Sequence, residues 1–266
     1  MSGDEKQLCV LAVDVGGSHV KVLLNTGSER RRFESGPDIT ARQMADGVLE
    51  LTHDWEYDVV SVGVPTQVMA GRVVHDPVNL GPGWAGFDFE GAFGKPTRVV
   101  NDAVMQALGS YEGGRMLFLG LGTGLGTAMI VDGLLEPMEL GHLPYRKLTY
   151  EDFVGERGLV RLGKKRWREE VATVIAEFTA ALEPDYVVLG GGNAKLLKEL
   201  PPNSRLGANE NAFLGGFRLW DAEPARPGEE DVRRRAYELS QTAEGASPEE
   251  NWARAEHELS DSGDPV

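Results

Sequence analysis

The sequence predicts an α/β protein of two lobes that repeat one plan. Three observations carry that expectation. Nearly continuous apolar runs at 8–15, 59–64, 116–121 and 186–189 read as strands buried on both faces. Helical periodicities lie between them, as in 41–53, where Met44, Val48 and Leu51 share one face. Two glycine-rich hairpins, Gly16-Gly17-Ser18 and Gly122-Thr123-Gly124, follow the first and third runs in the same manner. The lobes are expected at 1–102 and 103–220, with a separate tail at 221–266.

The 266 residues, 41% hydrophobic with 34 glycines, suit a sizeable core and many turns. A formal charge of −15 argues against general nucleic-acid binding, so an anionic substrate needs a local basic patch. No apolar run approaches membrane-spanning length. The polar start leads straight into a strand and does not read as a signal peptide, so a cytoplasmic address is expected. The single Cys9 excludes an internal disulfide and a cysteine zinc cluster.

In chain order, the first strand ends in Asp14-Val15-Gly16-Gly17-Ser18, with a second strand from Val20. Two readings stand for Asp14. In an ordinary hairpin it bonds the turn backbone; in a phosphate site, turn amides and Ser18 face the anion while Asp14 is directed at magnesium or its waters. Lys21 adds positive charge nearby. Past the helix at 41–53 and the strand ending at Val64, residues 71–77 read as a turn and a rim strand. The loop at 79–84 sets Asn79 beside Trp84, which is either plain core or a stacking face for a sugar.

Asn101-Asp102 then opens a helix at 103–111, where such residues cap free N–H groups. One carboxylate and one glycine nest joined by that helix imply phosphoryl transfer to an alcohol. The segment 136–145 reads as irregular. Its Glu139 and His142 have metal-ligand spacing, but Gly141 and Pro144 argue against the helix such a site needs, and hydrogen bonding to a polyhydroxyl substrate fits better. Helices are expected at 150–162 and 165–182. Between them Arg161, Lys164, Lys165, Arg166 and Arg168 form the densest basic cluster of the chain, read either as solvated surface or as an electropositive strip for a phosphate chain. Gly190-Gly191-Gly192-Asn193 is expected to start a helix and to make an anion-friendly corner. In the tail, which carries 13 acidic and 5 basic residues, Ser247-Pro248-Glu249-Glu250 has the capping-box pattern of a helical hairpin.

These motifs taken together (DVGGSHVK at 14–21, VNDA at 100–103, GLGTGLGTA at 120–128, ELGH at 139–142, LGGGN at 189–193) resemble the ROK family of bacterial sugar kinases (repressor, open reading frame, kinase), and especially its polyphosphate glucokinase branch. The resemblance covers about residues 8–220. It implies a two-lobed actin-like ATPase (ribonuclease H-like) fold, a homodimer, and magnesium-dependent transfer from polyphosphate or ATP to the 6-hydroxyl of glucose. It implies that Asp102 is the catalytic base and that Asn79, Asn101, Glu139, His142 and Glu151 hold the sugar. Asp14 would position magnesium through water. Gly16, Gly17, Ser18, Gly122, Thr123 and Gly124 would form the phosphate loops, with Gly190, Gly191 and Gly192 on the adenosine side. Lys21, Lys164 and Lys165 are further donor candidates. Three departures stand out. The family's cysteine zinc motif after the Glu-x-Gly-His segment is missing, so no zinc site is expected. Pro65-Thr66 stands where the family has Pro-Gly, and no DNA-binding segment precedes residue 8. Alternatives are an ATP-dependent kinase of another hexose such as mannose, and a non-catalytic sugar sensor.

Overall fold

The structure is a computed structural model that describes residues 8–208, 210–221, 235–237, 239 and 247–261. Besides the short helix α2 (Phe89–Phe93) and two small hairpins, β5 (Val68–Met69) with β6 (Arg72–Val73) and β11 (Pro144–Tyr145) with β12 (Leu148–Thr149), two five-stranded sheets share one topology. The first runs β3-β2-β1-β4-β7, formed by β1 (Val10–Val15), β2 (His19–Leu24), β3 (Arg31–Glu34), β4 (Val59–Val64) and β7 (Thr97–Asn101). The second runs β10-β9-β8-β13-β14, formed by β8 (Arg115–Leu121), β9 (Leu125–Val131), β10 (Leu134–Met138), β13 (Tyr186–Gly190) and β14 (Ser204–Leu206). In each sheet the first three strands in chain order are antiparallel neighbours and the later two add in parallel. The expected repetition of one plan is therefore present strand for strand.

Alternation along the central strands sorts the core. Leu117, Leu119 and Leu121 of β8, with Val187 and Leu189 of β13, pack towards the long helix α5 (Glu156–Leu182). Met116, Phe118 and Val188 point to the other face, towards α3 (Asp102–Ser110) and α6 (Asn211–Arg218). In the first sheet Leu11, Val13, Val15, Val60, Val62 and Val64 fill a core closed by α1 (Ala41–Leu51), whose N-terminus carries a Thr40–Gln43 capping box. Trp84 is fully buried there and donates its ring N–H to the Ile39 carbonyl at 3.2 Å, so its role is plain core.

The opposite face of the first sheet carries small residues, and this decides how the lobes join. Ser61 Oγ donates to the Gly216 carbonyl at 2.5 Å, and Trp220 Nε1 donates to Ser61 Oγ at 2.8 Å. A Cβ on Gly216 would press on Ala12 Cβ, one on Gly63 on the end of Met105, and one on Gly215 would overlap the Met105 carbonyl oxygen. Helices α3 and α6 thus cross in backbone contact, with α6 laid on β1 and β4.

Three local expectations change, and three elements were not expected. Leu134–Met138 is a strand rather than irregular chain. It is joined to β9 by Asp132-Gly133, both at positive φ, a hairpin signal whose edge position tolerates Pro137. Helix 150–162 breaks at extended Gly155, leaving α4 (Tyr150–Val154), and α5 then continues through a kink at Gly163 (φ 73°). No α-helix follows Gly190-Gly191-Gly192; Ala194–Leu196 is one 3-10 turn, so a helix-dipole site for an anion is lost at that corner. Finally, β3, β14 and α6 carry no expectation from the sequence. In the tail, Ser247 and Glu250 exchange the capping-box bonds at 2.8 and 3.1 Å, and Trp252 and Ala255 pack with Ala236 and Leu239. The linker at 224–228, and most of the first tail helix expected over 230–243, lie outside the described residues.

Candidate active site

The candidate groups gather at the carboxyl ends of the parallel strands of both sheets. These ends are where loops leave a sheet with free backbone groups, and where ligands of open α/β sheets bind. Val15, Val64 and Asn101 end β1, β4 and β7; Leu121 and Gly190 end β8 and β13.

Asn101 caps α3. Its Oδ1 accepts from Ala103 N at 2.8 Å and Val104 N at 3.4 Å, while its Nδ2 donates to the Thr66 carbonyl at 3.0 Å. Both ends of the amide are thus engaged in holding the strand end. The cap sets Asp102 at the first helical position, its Oδ1 accepting from Ala103 N at 2.8 Å. Burial, and next the negative charge of Asp14, push the Asp102 carboxyl up to about 7, against the opposing bond from the Ala103 N–H; Glu139 adds a smaller upward push. Asp14 itself accepts from Lys21 Nζ at 3.0 Å, its partner across the β1–β2 ladder. The first glycine loop is closed by Gly16 N donating to the His19 carbonyl and Ser35 Oγ donating to the Gly16 carbonyl, leaving Gly17 and Ser18 exposed.

The second glycine loop lies beside Asp102 and the sugar candidates. A Cβ on Gly126 would press on Ala103, and one on Gly124 would meet the Glu151 carboxylate at 2.6 Å. Glu151 Oε2 stands 3.8 Å from His142 Nε2, whose Nδ1 is 3.6 Å from Glu139 Oε2. Burial raises the Glu139 carboxyl, while its pairing with His142 pulls the other way. The structure therefore strings together Asp14, Asp102, the second loop, Glu151, His142 and Glu139. The 190–193 corner adjoins this chain: Asn193 N donates to the Leu121 carbonyl at 2.9 Å, and its side chain reaches Gly122 and Glu156. Gly191, at φ 81°, lies so close to the Leu121 carbonyl that a Cβ would clash.

Other candidates stand apart. Asn79 is exposed on the loop after residue 73, with no hydrogen bond to Asp102, Glu139 or His142. In the basic cluster, Arg161 donates to the Asp152 carbonyl and Arg168 to the Leu196 carbonyl. Lys164, Lys165 and Arg166 are exposed at the kink of α5. The Arg168 bond places that strip beside the 190–196 corner.

Two features escaped the sequence reading. Arg157 reaches both Glu151 and Asp152 at 3.3 Å; the Gly155 break sits between them, so no helical spacing announces the pair. A cavity of about 350 Å³ lies between the lobes, lined by the 67–71 hairpin, Asn101, Val104, Thr127 and residues 136–139. Among the described residues no group of three or more His, Cys, Asp or Glu side chains could by itself cage a metal ion, and no helix is long and apolar enough to cross a membrane.

Comparison with known proteins bears on the fold. No protein-family model matches the chain. A polyphosphate glucokinase of Mycobacterium tuberculosis is 28% identical over 206 residues, covering 68% of this chain and 76% of that protein. Among solved structures, the inorganic polyphosphate/ATP-glucomannokinase of Arthrobacter sp. strain KM superposes with TM-score 0.69 at 23% identity, covering 79% of this chain and 97% of that one. A ROK family glucokinase of Streptomyces griseus, in complex with glucose and AMPPNP, gives 0.62 at 17% identity, covering 79% and 98%. The fold is that of the two-lobed, actin-like sugar kinases. In sequence the chain's likeness is to polyphosphate glucokinases, and in structure to ROK family sugar kinases.

Proposed function

We propose that the chain is a hexose kinase that transfers a phosphoryl group from inorganic polyphosphate or ATP to the 6-hydroxyl of glucose. The observation that carries this reading is the placement of Asp102: a carboxyl at a helix N-terminus, within the fields of Asp14 and Glu139, with β9 at the end of the second glycine loop against its helix. The relatives named above support the substrate class. Phosphoryl transfer needs chiefly positioning and charge stabilisation. Asp102 orients the sugar hydroxyl and takes its proton; a carboxyl held near 7 is well matched to proton transfer at neutral pH. Glu139, His142 and Glu151 hold the remaining hydroxyls, and Gly17, Ser18 and the 122–124 loop present backbone to the donor.

The residues fit a magnesium ion bound through water and donor phosphate, since Mg²⁺ keeps most of its waters and takes only one or two carboxylates. Asp14 would hold it, within reach of the field that Asp14 already exerts on Asp102. When bound, the ion neutralises donor charge. Lys21 shares Asp14 and adds positive charge to the same loop.

The test is glucose 6-phosphate formation with Mg²⁺, comparing polyphosphate and ATP, with Asp102→Asn as control. Turnover lost in the variant supports the assignment. Turnover with mannose alone would replace glucose by another hexose. Hexose binding without turnover on any donor would overturn the kinase in favour of a sugar sensor.

A further inference from the structure

The segment 139–154 carries His142, Glu139 and Glu151, yet most of it is a small hairpin and a five-residue helix, elements too short to hold themselves in place. Its own bonds are local: Tyr150 N to the Leu143 carbonyl, and a Thr149–Asp152 capping pair at 2.8 Å. At its start Leu140 N donates to Thr127 Oγ1 of β9 at 3.1 Å; the rest is tied to the body by a cluster on its far side. Tyr145 and Tyr150 stack at 4.5 Å, Phe153 meets Tyr145 edge-on at 5.1 Å, and Phe178 of α5 lies 4.7 Å from Tyr150. Arg146 sits over Tyr145 and Phe153 at 4.9 and 5.2 Å, and Arg161 covers Phe153 at 4.8 Å. Two carboxylates of α5 latch the cluster. Glu170 accepts from Tyr145 Oη at 3.2 Å and from Arg146 at 2.8 Å, and Glu177 accepts from Tyr150 Oη at 3.1 Å. Trp167, fully buried on the same helix, donates to the Val154 carbonyl at 2.8 Å.

We infer that Tyr145, Arg146 and Tyr150, latched by Glu170 and Glu177, are positioning residues for the acceptor site and set its affinity for sugar. None touches Asp102, the phosphate loops or the acidic groups that face the sugar. They act by fixing the angle at which residues 139–151 present those groups. A preorganised site owes its affinity to such support, since an ångström of looseness is enough to spoil several hydrogen bonds together. The charge-assisted bond to half-buried Glu170 is the strong member of the cluster, the bond to exposed Glu177 a weaker one, and aromatic pairs add directionality.

The inference rests on the hexose-kinase reading, and its test separates the two. Glucose binding by calorimetry and steady-state KM for glucose and for donor are measured on wild type, Glu170→Gln and Tyr150→Phe, with amide hydrogen exchange over residues 139–154. Glu170→Gln is expected to weaken glucose binding and raise its KM about tenfold, the scale of one charge-assisted bond lost. Donor KM stays unchanged and exchange in 139–154 quickens. Tyr150→Phe, which removes a single hydroxyl at a half-exposed ring, gives a smaller change of the same kind and serves if the first variant does not fold. A wild type that binds glucose alongside variants with the same glucose KM would overturn the inference alone. Equal rises in glucose and donor KM would overturn it too, by making the defect global. A wild type that binds no hexose would overturn the kinase reading and the inference with it.

Discussion

Replacing Asp102 by Asn is expected to make the protein more stable at alkaline pH while removing its activity. In the unfolded chain an aspartate ionises above 3.8; in the fold Asp102 keeps its proton to about 7. Between those values the unfolded state binds fewer protons than the native one, so stability falls as pH rises through this window and levels off above 7. The shift corresponds to roughly 4 kcal/mol at its ceiling, and relaxation with water entry reduces that to about 2 kcal/mol. Asn keeps the acceptor for the Ala103 N–H and carries no charge to desolvate. Thermal unfolding in chelator should therefore place the Tm of Asp102→Asn about 4–8 °C above wild type at pH 8, with a smaller gap at pH 5. Magnesium should narrow the gap at pH 8, because it neutralises the Asp14 field. Turnover should fall by a factor on the order of 10² to 10⁴. A variant no more stable than wild type at pH 8, or a gap larger at pH 5, would refute the reasoning about burial and charge at this position.

Two further outcomes follow from the geometry. Replacing Lys164, Lys165 and Arg166 together by Ala should raise the KM for long polyphosphate and flatten its salt dependence while leaving the ATP KM in place; equal effects on both donors, or none, would return the strip to ordinary solvated surface. Gly215→Ala would drive a Cβ into the Met105 carbonyl where α3 and α6 cross. It should cost about 3 kcal/mol, read as a Tm lowered by roughly 10 °C, and an unchanged Tm would show that the helices separate freely.

The sequence by itself determined the elements whose physics is local. Continuous apolar runs marked β1, β4, β8 and β13, because strands buried on both faces leave no polar positions to break the run. Glycine-rich turns marked the two hairpins, and the Asn101 cap with Asp102 behind it marked the start of α3. The capping box at Ser247 was legible for the same reason. Only the tertiary structure decided the rest. Asp102 and Asp14 lie far apart in the chain, and a carboxyl held near neutrality results from the partial burial of Asp102 together with the field of Asp14. Glu151 meets Gly124 across a loop, and Arg157 reaches Glu151 across a helix break, so no periodicity could pair them. The 190–192 corner read as a helix start, yet Leu197 turns extended after a single 3-10 turn. Helix α6 carried no motif at all, and its glycines matter because another backbone lies against them. Patterns of spacing record which face of an element is buried; they hold no record of what it is buried against. That second fact brings Asp102, the second glycine loop, Glu151, His142 and Glu139 together.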